Sequence, residues 1–98
     1  MDADHVVYGR LTRRTVKRGT LLYLKGNVVP ATRNSTMEVQ QLVNGRWRYL
    51  NGRFTGQAKD GSFSFWLQPE RRGTYTFRAV SSGGNRLFYG PARTLTVR

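Results

Sequence analysis

The sequence predicts an all-β fold, two stacked antiparallel sheets whose interior is filled by every second residue of each strand, and three observations predict it. Apolar and polar residues alternate with period two along most of the chain, and no window sustains a helical 3.6-residue stripe over three turns. Gly, Asn, Asp and Pro punctuate the sequence about every eight to twelve residues, the spacing of a sandwich or barrel. Two of these punctuations, Asn44-Gly45 and Asp60-Gly61, fall between alternating runs, where both residue types tolerate the positive φ of a two-residue hairpin turn. The length of 98 residues suits a single core. A chain of this size buries roughly 60–65% of its unfolded surface, enough for stability without covalent staples.

The first strand is expected at Val6 to Leu11. A basic stretch, Arg13-Arg14-Thr15-Val16-Lys17-Arg18-Gly19, leads into a second strand at Thr20 to Asn27, with Leu22 and Leu24 on one face and Leu21, Tyr23 and Lys25 on the other. Val28 to Thr36 contains Pro30 and Asn34 and reads as a connection. Met37 to Val43 forms a third strand with Met37, Val39, Gln41 and Val43 inward, and Asn44-Gly45 turns it into Arg46 to Leu50. A weaker strand, Phe54 to Lys59, meets Asp60-Gly61 and then Ser62 to Leu67, whose Phe63, Phe65 and Leu67 share one face. Pro69 to Gly73 turns the chain into Thr74 to Val80, with Tyr75, Phe77 and Ala79 inward. A glycine-rich loop, Ser81 to Pro91, precedes a last strand at Ala92 to Val97. The reading is seven strands with one or two short extras, without internal repeats. Residues 1–5 are expected to be a disordered or expression-derived terminus, and 6–98 one domain.

Charge is the outlier. Seventeen basic residues, fourteen of them Arg, stand against five acidic ones, a net charge of +12. Such an imbalance favours anionic partners: nucleic acid, a wall polymer, an acidic glycan or a lipid surface. Solvated arginines with no ligand would give the same composition. No apolar run approaches the ~18 residues of a membrane span. The start, Met1-Asp2-Ala3-Asp4-His5, has neither the basic nor the apolar region of a signal peptide.

The chain offers little to catalyse with. Cysteine is absent, so disulfides and thiolate metal sites are excluded. The single imidazole, His5, lies in the expected loose terminus with Asp2 and Asp4, where rigid acid–base geometry cannot be held. Asp60 belongs to its turn, and Glu38 is expected to face Arg78 as a surface pair worth under ~1 kcal/mol. The loops lack the several acids of a calcium site. No serine has a base in prospect. The expectation is no enzyme and no cofactor or metal.

Four segments, taken together, resemble the immunoglobulin-like modules of secreted and surface proteins of Gram-positive, especially actinobacterial, bacteria. They are Gly19-x-Leu21-Leu22-x-Leu24-x-Gly26-x-Val28-x-Pro30, Met37-Glu38-Val39-Gln40-Gln41 to Gly45-x-Trp47, Asp60-Gly61-x-Phe63-x-Phe65, and Gly73-x-Tyr75-x-Phe77-Arg78-Ala79. The resemblance covers roughly residues 15 to 98. It implies an immunoglobulin-like or fibronectin III-like Greek-key β-sandwich of about seven to eight antiparallel strands. It also implies an extracytoplasmic setting, secreted or at the cell surface, in which such modules act as spacers, adhesive units or wall contacts beside neighbouring domains. The fold does not specify a ligand. By the same resemblance Trp47 would pack across the core, and Tyr75 would pin the turn before its strand as a tyrosine corner. The chain departs from that background in its charge and in carrying Leu87-Phe88-Tyr89 in its last loop.

Three candidate sites follow from placing the loops on such a sandwich. Arg13, Arg14, Lys17, Arg18, Arg46, Arg71 and Arg72 would crowd one pole, offset only by Glu70, and could bind an anionic polymer or glycan. The opposite pole would carry Arg33 and Arg86-Leu87-Phe88-Tyr89, where Phe88 and Tyr89 either fold back as an extra strand edge or contact a partner. Tyr23 and Trp66 would be outward cross-strand neighbours, placed either to take a flat sugar face, with Lys25, Ser62 and Ser64 nearby, or simply to stabilise the sheet. Two other functions compete. Nucleic-acid binding would use Arg46-Trp47-Arg48-Tyr49, although alternation sends the Trp47 ring and its flanking cations to opposite faces. A virion or secreted assembly domain would instead pair through its strand edges.

Overall fold

The computed structural model describes residues 6–29, 36–50, 54–57, 61–83 and 86–98. The expectations placed on His5, Asp2, Asp4, Pro30, Arg33, Asn34, Lys59 and Asp60 fall outside them. The described residues form ten strand segments in two sheets, an all-β arrangement compatible with a β-sandwich. They are β1 (Val6–Leu11), β2 (Thr15–Val16), β3 (Leu22–Val29), β4 (Thr36–Val43), β5 (Arg46–Leu50), β6 (Phe54–Gln57), β7 (Ser62–Leu67), β8 (Gly73–Gly83), β9 (Arg86–Tyr89) and β10 (Arg93–Val97).

One sheet runs β1-β3-β7-β6 and the other β2-β10-β8-β4-β5, with β9 lying beside the far half of β8. Inward residues of both sheets meet in one core, which includes Leu22, Leu24, Val28, Phe63, Phe65 and Leu67 from the first and Val39, Phe77, Ala79, Leu95 and Val97 from the second. Strict alternation on β7 shows why: Phe63, Phe65 and Leu67 are buried, while Ser62, Ser64 and Trp66 sit half-buried on the outer face. Val16 is buried as well, which explains the first departure from the expected antiparallel design. The basic stretch is not all loop, because Thr15 and Val16 pair in parallel with Thr96 and Val97.

Two further departures concern loops read too generously. The second strand begins at Leu22 and continues to Val29, whose partner is Val6. Ser81 to Pro91 is not a loop over its whole length: β8 runs on to Gly83, and Arg86–Tyr89 returns along it as β9, pairing Val80 with Tyr89 and Ser81 with Phe88. Phe88 packs against the core, so this segment takes the extra-edge form, with Leu87 and Tyr89 outward and exposed.

Trp47 does not pack across the core. Asn44 (φ 52°) and Gly45 (φ 79°) make a two-residue turn, which sets Val43 opposite Arg46 and Leu42 opposite Trp47. Leu42 points outward, and cross-strand partners share a face, so Trp47 lies on the outer surface of its sheet. Tyr75 behaves as expected: its hydroxyl donates to the Arg71 carbonyl at 2.7 Å, fixing the turn before β8.

Candidate functional site

Strand register determines where the basic loops lie. Leu11 pairs with Leu24, Leu22 with Leu67, and Gly73 with Val97, so the β1–β2–β3 loops, the β7–β8 loop and the end of β10 share one end of the molecule. Backbone bonds tie them together: Gly19 N–H donates to the Pro69 carbonyl and Arg18 N–H to the Arg98 carbonyl. Arg13, Arg14, Lys17, Arg18, Arg71 and Arg72 are all exposed at this end, with Glu70 among them. Arg98 joins them, a cation that the loop-by-loop reading missed because it follows the last strand.

Arg46 belongs to the same end, two strand spacings from β8, which Arg71 and Arg72 precede, and further from the loop of Arg13 and Arg14. In the order β2-β10-β8-β4-β5 it stands four strand spacings from β2, about 19 Å at ~4.8 Å each. That exceeds the ~8 Å Debye length of physiological salt, so Arg46 adds little to the field around Arg13 and Arg14.

The outer face of the first sheet is a second candidate. The register Tyr23↔Trp66, Lys25↔Ser64 and Asn27↔Ser62 continues across β1 as Arg10↔Lys25 and Tyr8↔Asn27. The result is an ordered grid, its strands about 4.8 Å apart and its rows about 7 Å apart. The row nearest the basic end holds Tyr23 and Trp66, both half-buried. The next holds Arg10, Lys25 and Ser64, and the third Tyr8, Asn27 and Ser62. Tyr23 and Trp66 are thus the outward neighbours expected from alternation, with the Lys25 ammonium 5.4 Å from the Tyr23 ring.

Arg10 directly opposite Lys25 is an unfavourable pairing, since like charges across a ladder cost roughly 0.2–1 kcal/mol. Neither Glu38 nor Glu70 lies on these strands to offset it. Beside this pair the surface dips into an open concavity of about 390 Å³ lined by Arg10, Lys25, Asn27, Ser62 and Ser64. A groove of about 620 Å³ lies between the β1 and β10 edges, lined by Arg10, Arg14 and Arg93 with Leu11, Ala92 and Thr94. Arg10 is common to both. Arg93 is held in place, its Nε donating to the Gly9 carbonyl at 2.7 Å across the gap between the two sheets.

The second sheet presents a different outer surface. Arg78 on β8 lies between two rings, its guanidinium carbon 4.1 Å from the Trp47 centroid and 4.0 Å from that of Tyr89. Its Nε donates to Gln40 Oε1 at 2.7 Å. Gln40 is directly opposite Arg78, whereas Glu38 is opposite Val80, so the expected Glu38–Arg78 pairing across the ladder gives way to a hydrogen bond to the Gln40 side chain and two ring faces. Ring and cation do share a face here, because the cation comes from β8, on the other side of β4 from Trp47, rather than from Arg46 or Arg48. The stack already occupies one face of each ring. Phe88 packs against the core, and Tyr89, exposed on its other side, stacks on Arg78.

Among the described residues no three metal-ligating side chains come together, and no helix is long and apolar enough to cross a membrane. No protein-family model matches the chain, and no curated protein matches it.

Proposed function

We propose that this chain is a non-catalytic, extracytoplasmic interaction or spacer module of immunoglobulin-like Greek-key topology that binds an anionic polymer or glycan through its basic end. The observation that carries the proposal is the convergence of Arg13, Arg14, Lys17, Arg18, Arg71 and Arg72 on one end, with Glu70 the one acid among them in the described residues. Cations collected on exposed loops repel one another, and an approaching polyanion relieves that repulsion while releasing its own counterions. The topology is supported by the strand order: β1-β3-β7-β6 corresponds to the A-B-E-D sheet of such domains, and β4-β8-β10 to C-F-G. The Tyr75–Arg71 bond, at the start of the strand corresponding to F, supports it too. The extracytoplasmic setting rests on the resemblance to surface modules.

Retention on an immobilised polyanion as salt rises tests the ligand class. The native protein is expected to be retained strongly at low salt and to elute steeply as screening increases. Replacing Arg13, Arg14, Arg71 and Arg72 together by Ser should bring elution to much lower salt, with the thermal midpoint changed little, because all four are exposed. Unchanged elution of that variant would reject the basic end as the binding surface.

A further inference from the structure

We infer that the ligand is an acidic polysaccharide, and that it leaves the basic end across the outer face of the β1-β3-β7 sheet, with sugar rings on Tyr23 and Trp66 and its anionic groups between Arg10 and Lys25. The inference rests on the anionic-ligand reading above and assigns it a ligand class and a path. Three observations meet on this face. Tyr23 and Trp66 are adjacent across strands and border the basic end, so a chain held there passes over them first. One row further on, Arg10 and Lys25 stand directly opposite each other with no acid on their strands. A carboxylate or sulfate between them turns a repulsive pair into two charge-assisted contacts. The concavity beside them, about 390 Å³, is lined by Asn27, Ser62 and Ser64, which accept hydrogen bonds as well as donate them.

That last point separates a glycan from a bare polyanion. A phosphate chain presents acceptors only and needs donors alone, whereas sugar hydroxyls are both donors and acceptors. The path also has a continuation. Arg10 forms a wall of both the concavity and the groove beyond the β1 edge, where Arg93 is fixed by its bond to the Gly9 carbonyl and Arg14 leads back to the basic end. A long chain is thereby offered anion contacts on both sides of the aromatic pair.

The test is titration of the native protein with polygalacturonate, heparin, inorganic polyphosphate and a single-stranded oligonucleotide at low salt. The first carries carboxylates alone, and the second carries sulfates beside its carboxylates. Three altered proteins are compared: Trp66→Leu, Tyr23→Leu, and the pair Arg10→Ser with Lys25→Ser. The glycan that binds more tightly should lose about tenfold in affinity in each, while polyphosphate is unmoved by loss of either ring. In a Trp47→Phe background the emission of Trp66 should shift on glycan binding, which reports contact even if a ring substitution disturbs the fold. Loss of binding only in the Arg13, Arg14, Arg71 and Arg72 variant, with Trp66 emission unmoved, would overturn the path and leave the basic end standing. Failure of the native protein to bind any of the polyanions would remove both. Tighter binding of the oligonucleotide, weakened by Trp66→Leu, would replace the glycan with nucleic acid.

Discussion

A methyl group added at Gly26 would run into the Tyr8 carbonyl and lie 2.7 Å from the Phe63 ring. Gly26 faces Gly9 on one side and Phe63 on the other, so two backbones and an aromatic ring converge where no side chain fits. Gly26→Ala should therefore destabilise the protein by about 1–3 kcal/mol, as overpacking does, with the loss read from urea denaturation. Ser81 is the opposite case. It is fully buried, and its Oγ has no hydrogen-bond partner among the described residues, so the hydroxyl is desolvated without return. Ser81→Ala should raise stability by about 1 kcal/mol and move the thermal midpoint up by about 4–8 °C. Tyr75→Phe removes one hydrogen bond and should lower stability by about 1 kcal/mol, with faster amide exchange around residues 71–73 as its signature. Of these residues only Tyr75 was legible in the sequence, through the resemblance to domains that carry a tyrosine at that turn. Nothing in the local sequence at Gly26 or Ser81 tells which backbone or ring will arrive opposite.

At the level of elements, alternation determined most of what could be read. The strands at Val6–Leu11, Ser62–Leu67 and Arg46–Leu50 lie where period two places them, and the outward pairing of Tyr23 with Trp66 follows from the same rule. Trp47 was misassigned although its orientation was within reach. With Met37 and Val39 inward, a two-residue turn at 44–45 sets Leu42 against Trp47 and so turns the ring outward. The resemblance to domains with a core tryptophan outweighed that parity. Thr15–Val16 was not legible for another reason: two residues are too few to show a period, and their partners Thr96 and Val97 lie far away in sequence. The β9 edge was one of two readings of Arg86–Tyr89, because four residues are too few for alternation to choose between a strand edge and an apolar loop. The turn itself is testable. Asn44 and Gly45 both hold positive φ, and replacing them by Ala-Ala should cost about 1–2 kcal/mol per residue while leaving the distant β1–β3 pairing protected from exchange. The Trp47–Arg78 contact should show a coupling of about 0.5–1 kcal/mol in a double-mutant cycle using Trp47→Ala and Arg78→Met.

Across the whole molecule, β5 ends one sheet, and Arg46 and Arg48 along it set like charges at that edge, which disfavours edge-to-edge pairing of two copies. Sedimentation at low salt should accordingly report a monomer; a dimer there would favour the assembly-domain alternative. The same topology has a mechanical corollary. Val6 begins β1 at the end remote from the basic loops, while Arg98 follows β10 at the basic end. Tension applied through these two residues runs nearly parallel to the strands. It therefore strains the β1–β3 and β10–β8 ladders along their whole length at once instead of peeling them bond by bond. Pulled in that direction in single-molecule force spectroscopy, the fold should hold to a higher rupture force than when the load is moved to residues 44 and 72, both at one end.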